Sequence, residues 1–141
     1  MKNIATIAIL FASTLIGAST ASAQSEQVRV SVPFDFHVGS TTMPAGTYMI
    51  TSAIGTPFIT IANSSKVART LTFSQAQTSY HTPAHTVVFH NWGGQYFISD
   101  VRGGDSSMNV HLPTTKEEKR AKALMSEAQL HSSENVLLAL K

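Results

Sequence analysis

The chain contains no cysteine. A fold without disulfides must be held by a buried core, and attachment through a lipidated cysteine at a new N-terminus is excluded. Charge is scarce as well: only 13% of the residues are Asp, Glu, Lys or Arg, with a formal net charge of +2. Nucleic-acid binding needs a clustered excess of Lys and Arg to neutralise phosphates. The one basic cluster, Lys116, Lys119, Arg120 and Lys122, is interleaved with Glu117 and Glu118. No nucleic-acid partner is expected. Long apolar runs are missing too. The longest, residues 4–16, falls short of the roughly 20 residues that a spanning helix requires.

What that short run does fit is a secretory leader. Lys2 supplies the positive start, residues 4–16 the apolar stretch, and Ala21-Ser22-Ala23 the small-x-small cleavage signature before Gln24. The expectation is a signal peptide over 1–23 and a mature chain in the periplasm or the extracellular space, with no membrane span once the leader is removed. Loss of Lys2 leaves nine basic against eight acidic residues. About 118 residues remain, enough for one domain with its own core.

The mature chain opens with its clearest period. Val28, Val30, Val32, Phe34, Phe36 and Val38 alternate with polar or small residues, which predicts a half-buried strand. Pro33 lies on the polar face and cannot donate to a ladder, so the stretch reads as one long edge strand or as two strands meeting at a bulge. An open edge there would allow a homodimer by strand pairing. Pro44-Ala45-Gly46 reads as a turn, and 47–52 as a strand with Tyr48 and Ile50 on one face. Residues 57–73 read as a hairpin around Asn63-Ser64-Ser65, with Val67, Arg69, Leu71 and Phe73 on one face of its second arm. Residues 74–83 read as a long surface loop, the kind of segment that carries function in compact domains.

Asn91-Trp92-Gly93-Gly94 separates two apolar runs and predicts a tight hairpin, because paired glycines suit the primed turns. With Gly93 and Gly94 in the turn, Phe89 opposes Ile98 and His90 opposes Phe97. A loop at 103–107 and a short strand at 109–112 follow. Thr114 and Thr115 each stand three residues before a glutamate, which signals a helix start with a capping box. The predicted helix spans 116–130, buries Ala121, Leu124, Met125 and Ala128, and pairs Glu118 with Lys122. Val136-Leu137-Leu138 reads as a second short helix docking on the sheet or as a frayed tail.

Four blocks then stand in order: Val-Pro-Phe-Asp-Phe at 32–36, Met-Pro-Ala-Gly-Thr-Tyr at 43–48, Val-Val-Phe-His-Asn-Trp-Gly at 87–93 with Gln-Tyr-Phe-Ile at 95–98, and Leu-Pro-Thr-Thr-Lys-Glu-Glu-Lys at 112–119. The set resembles a family of small uncharacterised exported bacterial proteins sharing a Pro-Phe-x-Phe strand, a Pro-Ala-Gly-x-Tyr turn, a Phe-His-x-x-Gly hairpin and a C-terminal Leu-Pro helix start. The resemblance covers nearly the whole mature chain. It implies export and a β-rich fold, and no particular activity.

Chemistry-bearing patterns are few. Six histidines invite a metal, but His85 and His90 differ by an odd number along one strand and so face opposite ways unless a bulge intervenes. His81 and His85 flank Pro83 with no enforced geometry, and His37 and His111 can meet only through the fold. A hydrolase nucleophile elbow, Gly-x-Ser-x-Gly, does not occur, and Ser106 and Ser107 fall in a loop. Glu26, Asp35, Asp100 and Asp105 show no paired-carboxylate pattern. No metal, no cofactor and no catalytic activity are expected.

The candidate binding residues are Asn91, Trp92 and Tyr96 at the hairpin tip and Tyr80 and His81 in the 74–83 loop. Exposed aromatics at a tip stack on sugars or contact a protein partner. The alternative for Trp92, which we prefer, is that it folds back to cap one end of the core. The sequence therefore predicts a mainly β protein: a single antiparallel β-sandwich or small barrel of about six to eight strands over 24–113, with a C-terminal helical segment over 114–141 packed on it. Its expected role is non-catalytic: an envelope or extracellular protein that binds a protein or glycan partner or associates with itself. The alternative is a carrier of a small ligand or metal in an internal pocket, recognisable by an enclosed cavity or by converging histidines.

Overall fold

The computed structural model describes residues 25–53, 55–65, 68–76, 84–104 and 108–141. The leader, Tyr80 and His81 lie outside the described residues, as do Ile54 and Val67.

The period-two run at 28–38 divides in two. Strand β1 (Ser25–Val32) ends at Pro33, the chain bends through Phe34, and β2 (Phe36–Val38) resumes in a different sheet. The alternation survives the corner because both strands turn the same side to one core: Val30, Val32, Phe36 and Val38 are all buried. After β3 (Thr41–Met43), the Pro44-Ala45-Gly46 turn leads into β4 (Gly46–Ala53). The two motif blocks at this corner clasp each other. Asp35 Oδ1 accepts the Ala45 N–H at 2.8 Å, the Tyr48 hydroxyl donates to the Pro44 carbonyl, and Phe36 meets Tyr48 edge-on at 5.0 Å. These residues build the corner, which gives their pattern a structural reason.

Strands β5 (Phe58–Asn63) and β6 (Arg69–Phe73) complete a four-stranded antiparallel sheet in the order β1-β4-β5-β6. Its inner face carries Val30, Tyr48, Ile50, Ile59 and Ile61, all buried. The predicted loop at 74–83 begins instead with a short strand, β7 (Gln75–Ala76). Strands β8 (Thr86–Trp92) and β9 (Gln95–Arg102) form the predicted hairpin, with Phe89 opposite Ile98 and His90 opposite Phe97. Gly93 and Gly94 both hold positive φ, 62° and 87°, as a primed turn demands. A bulge at Val88/Phe89 shifts the register, so Val88 opposes Asp100.

Strand β10 (Asn109–His111) pairs with β9 and with β7. Strand β2 also lies against β9, in parallel, an exception in an otherwise antiparallel structure. The strands are more numerous than the expected six to eight because several are only two or three residues long.

The C-terminal segment departs most from expectation. It is not helical throughout. Helix α1 (Lys116–Ala123) stops early, α2 (Glu127–Ser132) starts afresh on a capping box between Ser126 and Gln129, and Val136-Leu137-Leu138 belong to a strand, β11 (Val136–Ala139). Leu124, predicted to be buried, is 85% exposed because the helix has ended beneath it. Strand β11 pairs antiparallel with β8 and tucks Val136 and Leu138 against the core. Leu140 then bridges to Val30, and the Lys141 N–H donates to the Arg29 carbonyl at 2.9 Å. The edge of β1, expected to be open for dimerisation, is thus lined by the chain's own end.

That seam joins the two sheets into one curled wall running β6-β5-β4-β1, across the C-terminus, then β11-β8-β9-β10-β7. The fold is a half-barrel whose interior is packed with side chains. Phe36 and Phe89 meet edge-on at 5.3 Å and, with Tyr48, lock the two halves together. Each such side chain contributes roughly 1.5–3 kcal/mol on burial. Among the described residues, no helix is long and apolar enough to cross a membrane.

Candidate functional site

On the outer face of the hairpin, alternate residues His90 and Trp92 point toward α1. Thr115 caps that helix and accepts the Glu118 N–H at 3.2 Å. In a capping box the Glu118 side chain would turn back to the cap. Here the carboxylate keeps a backbone bond at Thr115 and also reaches the sheet. Its Oε1 lies 2.6 Å from His90 Nδ1 and 3.0 Å from Trp92 Nε1. An ionised carboxylate only accepts, so His90 Nδ1–H and the indole N–H both donate to it.

Glu118 is buried, 5% exposed. Burial raises its pKa, but the hydrogen bonds from His90 and Trp92, the attraction of the imidazole and the N–H bond at Thr115 outweigh that, and the carboxyl is held below its ordinary value. Lys122 sits one turn along, with Nζ 4.9 Å from the Trp92 ring centroid, a cation–π distance. The expected Glu118–Lys122 pair is replaced by two separate attachments to the hairpin.

The predicted contact residues at the tip are therefore engaged within the fold. Trp92 is half-buried and turned back, but onto the helix rather than over the end of the core. Asn91 Oδ1 accepts the Gly94 N–H at 2.9 Å and shapes the turn. Tyr96 stacks on Phe34 at 3.9 Å. Asn91, Gly93 and Gly94 border a shallow recess of about 170 Å³ with Met125, Gln129 and Ser133.

The histidines occupy separate places. His37 stacks on Phe97 and reaches Thr42, His90 binds Glu118, and His111 Nδ1 is 3.2 Å from Asp100 Oδ1. Among the described residues, no group of three or more His, Asp or Glu is arranged to hold a metal ion. Ser99, Asp100 and His111 form a chain, but the carboxylate stands in the middle: Ser99 Oγ donates to Asp100 Oδ2 and the imidazole takes the other oxygen. A nucleophilic serine must pass its proton to the imidazole, which this order does not allow.

Among the described residues, three of the exposed large apolar side chains lie together elsewhere, on the outer face of the four-stranded sheet. Phe58, Leu71 and Phe73 are 46%, 66% and 43% exposed. Phe58 opposes Phe73 across the β5–β6 ladder, with rings edge-on at 5.9 Å, and Leu71 is two residues along, opposite Thr60. Sequence reasoning placed Leu71 and Phe73 on a common face without seeing which way that face pointed. The available signal was Arg69, which shares the face and belongs in water.

No family model matches the chain, and neither do any curated protein and any solved structure.

Proposed function

We propose that the protein is an exported, non-catalytic binding module of the envelope or extracellular space, whose contact surface is the Phe58–Leu71–Phe73 face. The carrying observation is the exposure of two phenylalanines and a leucine, side by side, on an edge of the sheet. Contiguous apolar surface of this kind marks contact sites. On this face of the β5–β6 ladder the apolar group is bordered by Thr60 and Arg69, a mainly apolar surface that suits a protein partner better than a glycan.

A carrier needs room inside. The interior is taken up by Val30, Val32, Phe36, Tyr48, Ile50, Ile59, Ile61, Val87 and Phe89, which supports binding on the surface rather than within. The corner and hairpin motifs serve packing and turns, which fits a role in fold rather than in chemistry.

Native mass spectrometry of protein purified from its own compartment tests this reading. The expected spectrum contains a polypeptide beginning at Gln24, in complex with protein and with no small-molecule or metal adduct, and the complex disappears in a Phe58→Ser/Leu71→Ser variant that retains its circular dichroism. A stoichiometric metal or small-molecule adduct would establish the carrier instead.

A further inference from the structure

We infer that the partner on this face is a second copy of the same chain, joined by antiparallel pairing of β6 with β6 across a twofold axis through Leu71. The inference rests on the reading of the Phe58–Leu71–Phe73 face as a contact surface and names its occupant.

The argument begins with the backbone. The Ser74 N–H donates to the Pro57 carbonyl at 2.7 Å, and the Asn63 N–H donates to the Ala68 carbonyl at 2.8 Å. These bonds flank the β5–β6 ladder. In an antiparallel pair, hydrogen-bonding residues alternate along each strand. Ala68 and Ser74 therefore set the parity: Thr70 and Thr72 also direct their backbone groups toward β5. Arg69, Leu71 and Phe73 direct theirs the other way, where no described strand pairs with β6. The residues with outward-facing N–H and C=O groups are the same ones whose side chains line the exposed face.

Chemistry then selects the partner strand. The segment Arg69-Thr70-Leu71-Thr72-Phe73 is complementary to its own antiparallel copy. With the axis at Leu71, Leu71 faces its twin, Thr70 faces Thr72, and Arg69 faces Phe73 at both ends. The leucines exclude water at the centre, and each guanidinium can lie over a phenyl ring of the other copy. Each of the outward residues exchanges both backbone bonds with its opposite.

Slipped registers are poorer. An axis at Arg69 sets two guanidinium groups against each other, a like-charge cross-strand pair, and an axis at Phe73 sets Leu71 opposite Gln75. The edge at β1 is already lined by Leu140 and Lys141. Pairing at β6 would continue the four-stranded sheet into the second copy and cover Phe73 and Leu71 from the side. A single five-residue strand pair is a small contact beside the standard interface of about 1,600 Å², so a weak, concentration-dependent dimer is expected.

The absence of cysteine makes a clean test possible. Sedimentation velocity of the purified protein from about 10 μM to about 1 mM should show a weight-average mass rising from monomer toward dimer. Leu71→Lys should hold it at monomer throughout, with unchanged circular dichroism, since the side chain is exposed. Opposed Cα atoms in such a pair lie about 5.5 Å apart, within disulfide reach. A Leu71→Cys variant should therefore form a covalent dimer under mild oxidation, and a Thr60→Cys variant, on the same face but one strand inward, should not. A mass independent of concentration, association indifferent to Leu71→Lys, or equal cross-linking of both cysteine variants would overturn self-pairing. A monomer that carries a different protein in the native spectrum overturns self-pairing and leaves the binding-module reading in place, whereas a metal or small-molecule adduct overturns that reading.

Discussion

Glu118 and His90 are 28 positions apart in the chain and 2.6 Å apart in the fold, and their contact fastens the C-terminal helix to the central hairpin. Helix α1 has little else to hold it. Its sequence, Lys-Glu-Glu-Lys-Arg-Ala-Lys-Ala, is polar on nearly every side, and only Glu118 and Ala121 are buried. An amphipathic helix docks through an apolar stripe. This one docks through one carboxylate with two donors, one alanine, and a lysine laid over an indole.

Removing that carboxylate should loosen the helix. Glu118→Ala leaves the His90 Nδ1–H and the Trp92 N–H without their acceptor in a part-buried site, at a cost of about 1 kcal/mol. Glu118→Gln keeps an oxygen for one donor but brings an amide that cannot accept both as well, and should cost less. Urea unfolding followed by the fluorescence of Trp92, the only tryptophan, would measure both. Equal midpoints for wild type and Glu118→Ala would show that the contact contributes nothing.

The same contact predicts an acid limb in the stability profile. The Glu118 carboxyl is held below its ordinary value of 4.5 in the folded chain. A depressed folded pKa contributes stability that is present above the unfolded value and lost as pH falls through the folded one. The groups facing the carboxyl are His90 and Trp92 from the hairpin and Thr115 from its own helix, with Lys122 over the indole. Thermal midpoints should therefore hold steady on the neutral side of pH 4.5 as far as this group is concerned and decline below it, and the Glu118→Gln variant should show a shallower decline. A parallel decline in both proteins would assign the acid limb to other carboxylates.

How much of this was written in the sequence depends on the range of the interaction. The hairpin register was readable because Gly93-Gly94 fixes it locally, and the partners are only a few residues away. The corner at Pro33 was readable as a break but not as a change of sheet, since the alternation of Val28 to Val38 continues through it. Val136-Leu137-Leu138 has too few residues to show a period, and its strand character comes from β8, whose paired residues lie 47 to 53 positions earlier and whose edge needs a partner. Glu118 reads as a capping residue from spacing alone, and only the fold brings His90 and Trp92 to it. The Phe58–Leu71–Phe73 face was hidden for a similar reason: alternation separates two faces of a strand without saying which one the core covers.

The closing seam should be a large single contributor to stability. Deletion of residues 136–141 removes the β11 ladder on β8, the Leu140 bridge to Val30 and the Lys141 bond to Arg29. It also removes the half-buried Val136, Leu138 and Leu140 from the core margin, which at about 1 kcal/mol each amounts to about 3 kcal/mol. Two strand edges, β1 and β8, are then open, and open edges recruit other chains. Chemical denaturation should show the loss of stability, and light scattering should show aggregation at concentrations where the full chain stays clear. A truncated protein with an unchanged midpoint would mean that the seam carries no stability.

Gly46 and Asn63 make the final case, because the cost of changing one should depend on the other. A Cβ at Gly46 would stand 2.6 Å from Asn63 Nδ2, closer than real contacts allow. The asparagine cannot readily retreat: its Oδ1 accepts from the Ser65 N–H at 2.8 Å and from the Ser65 hydroxyl at 2.6 Å, and its own N–H closes the β5–β6 turn on Ala68. Gly46→Ala should therefore push the Asn63 side chain off the turn and cost about 2 kcal/mol. Asn63→Ala should cost about 1 kcal/mol through loss of the Ser65 bonds, and the double variant should cost little more than Asn63→Ala alone, since the obstructing amide is gone. A double-mutant cycle in urea measures the difference. If Gly46→Ala is equally costly with and without Asn63, the glycine is required by its backbone geometry at the start of β4 rather than by the asparagine packed against it.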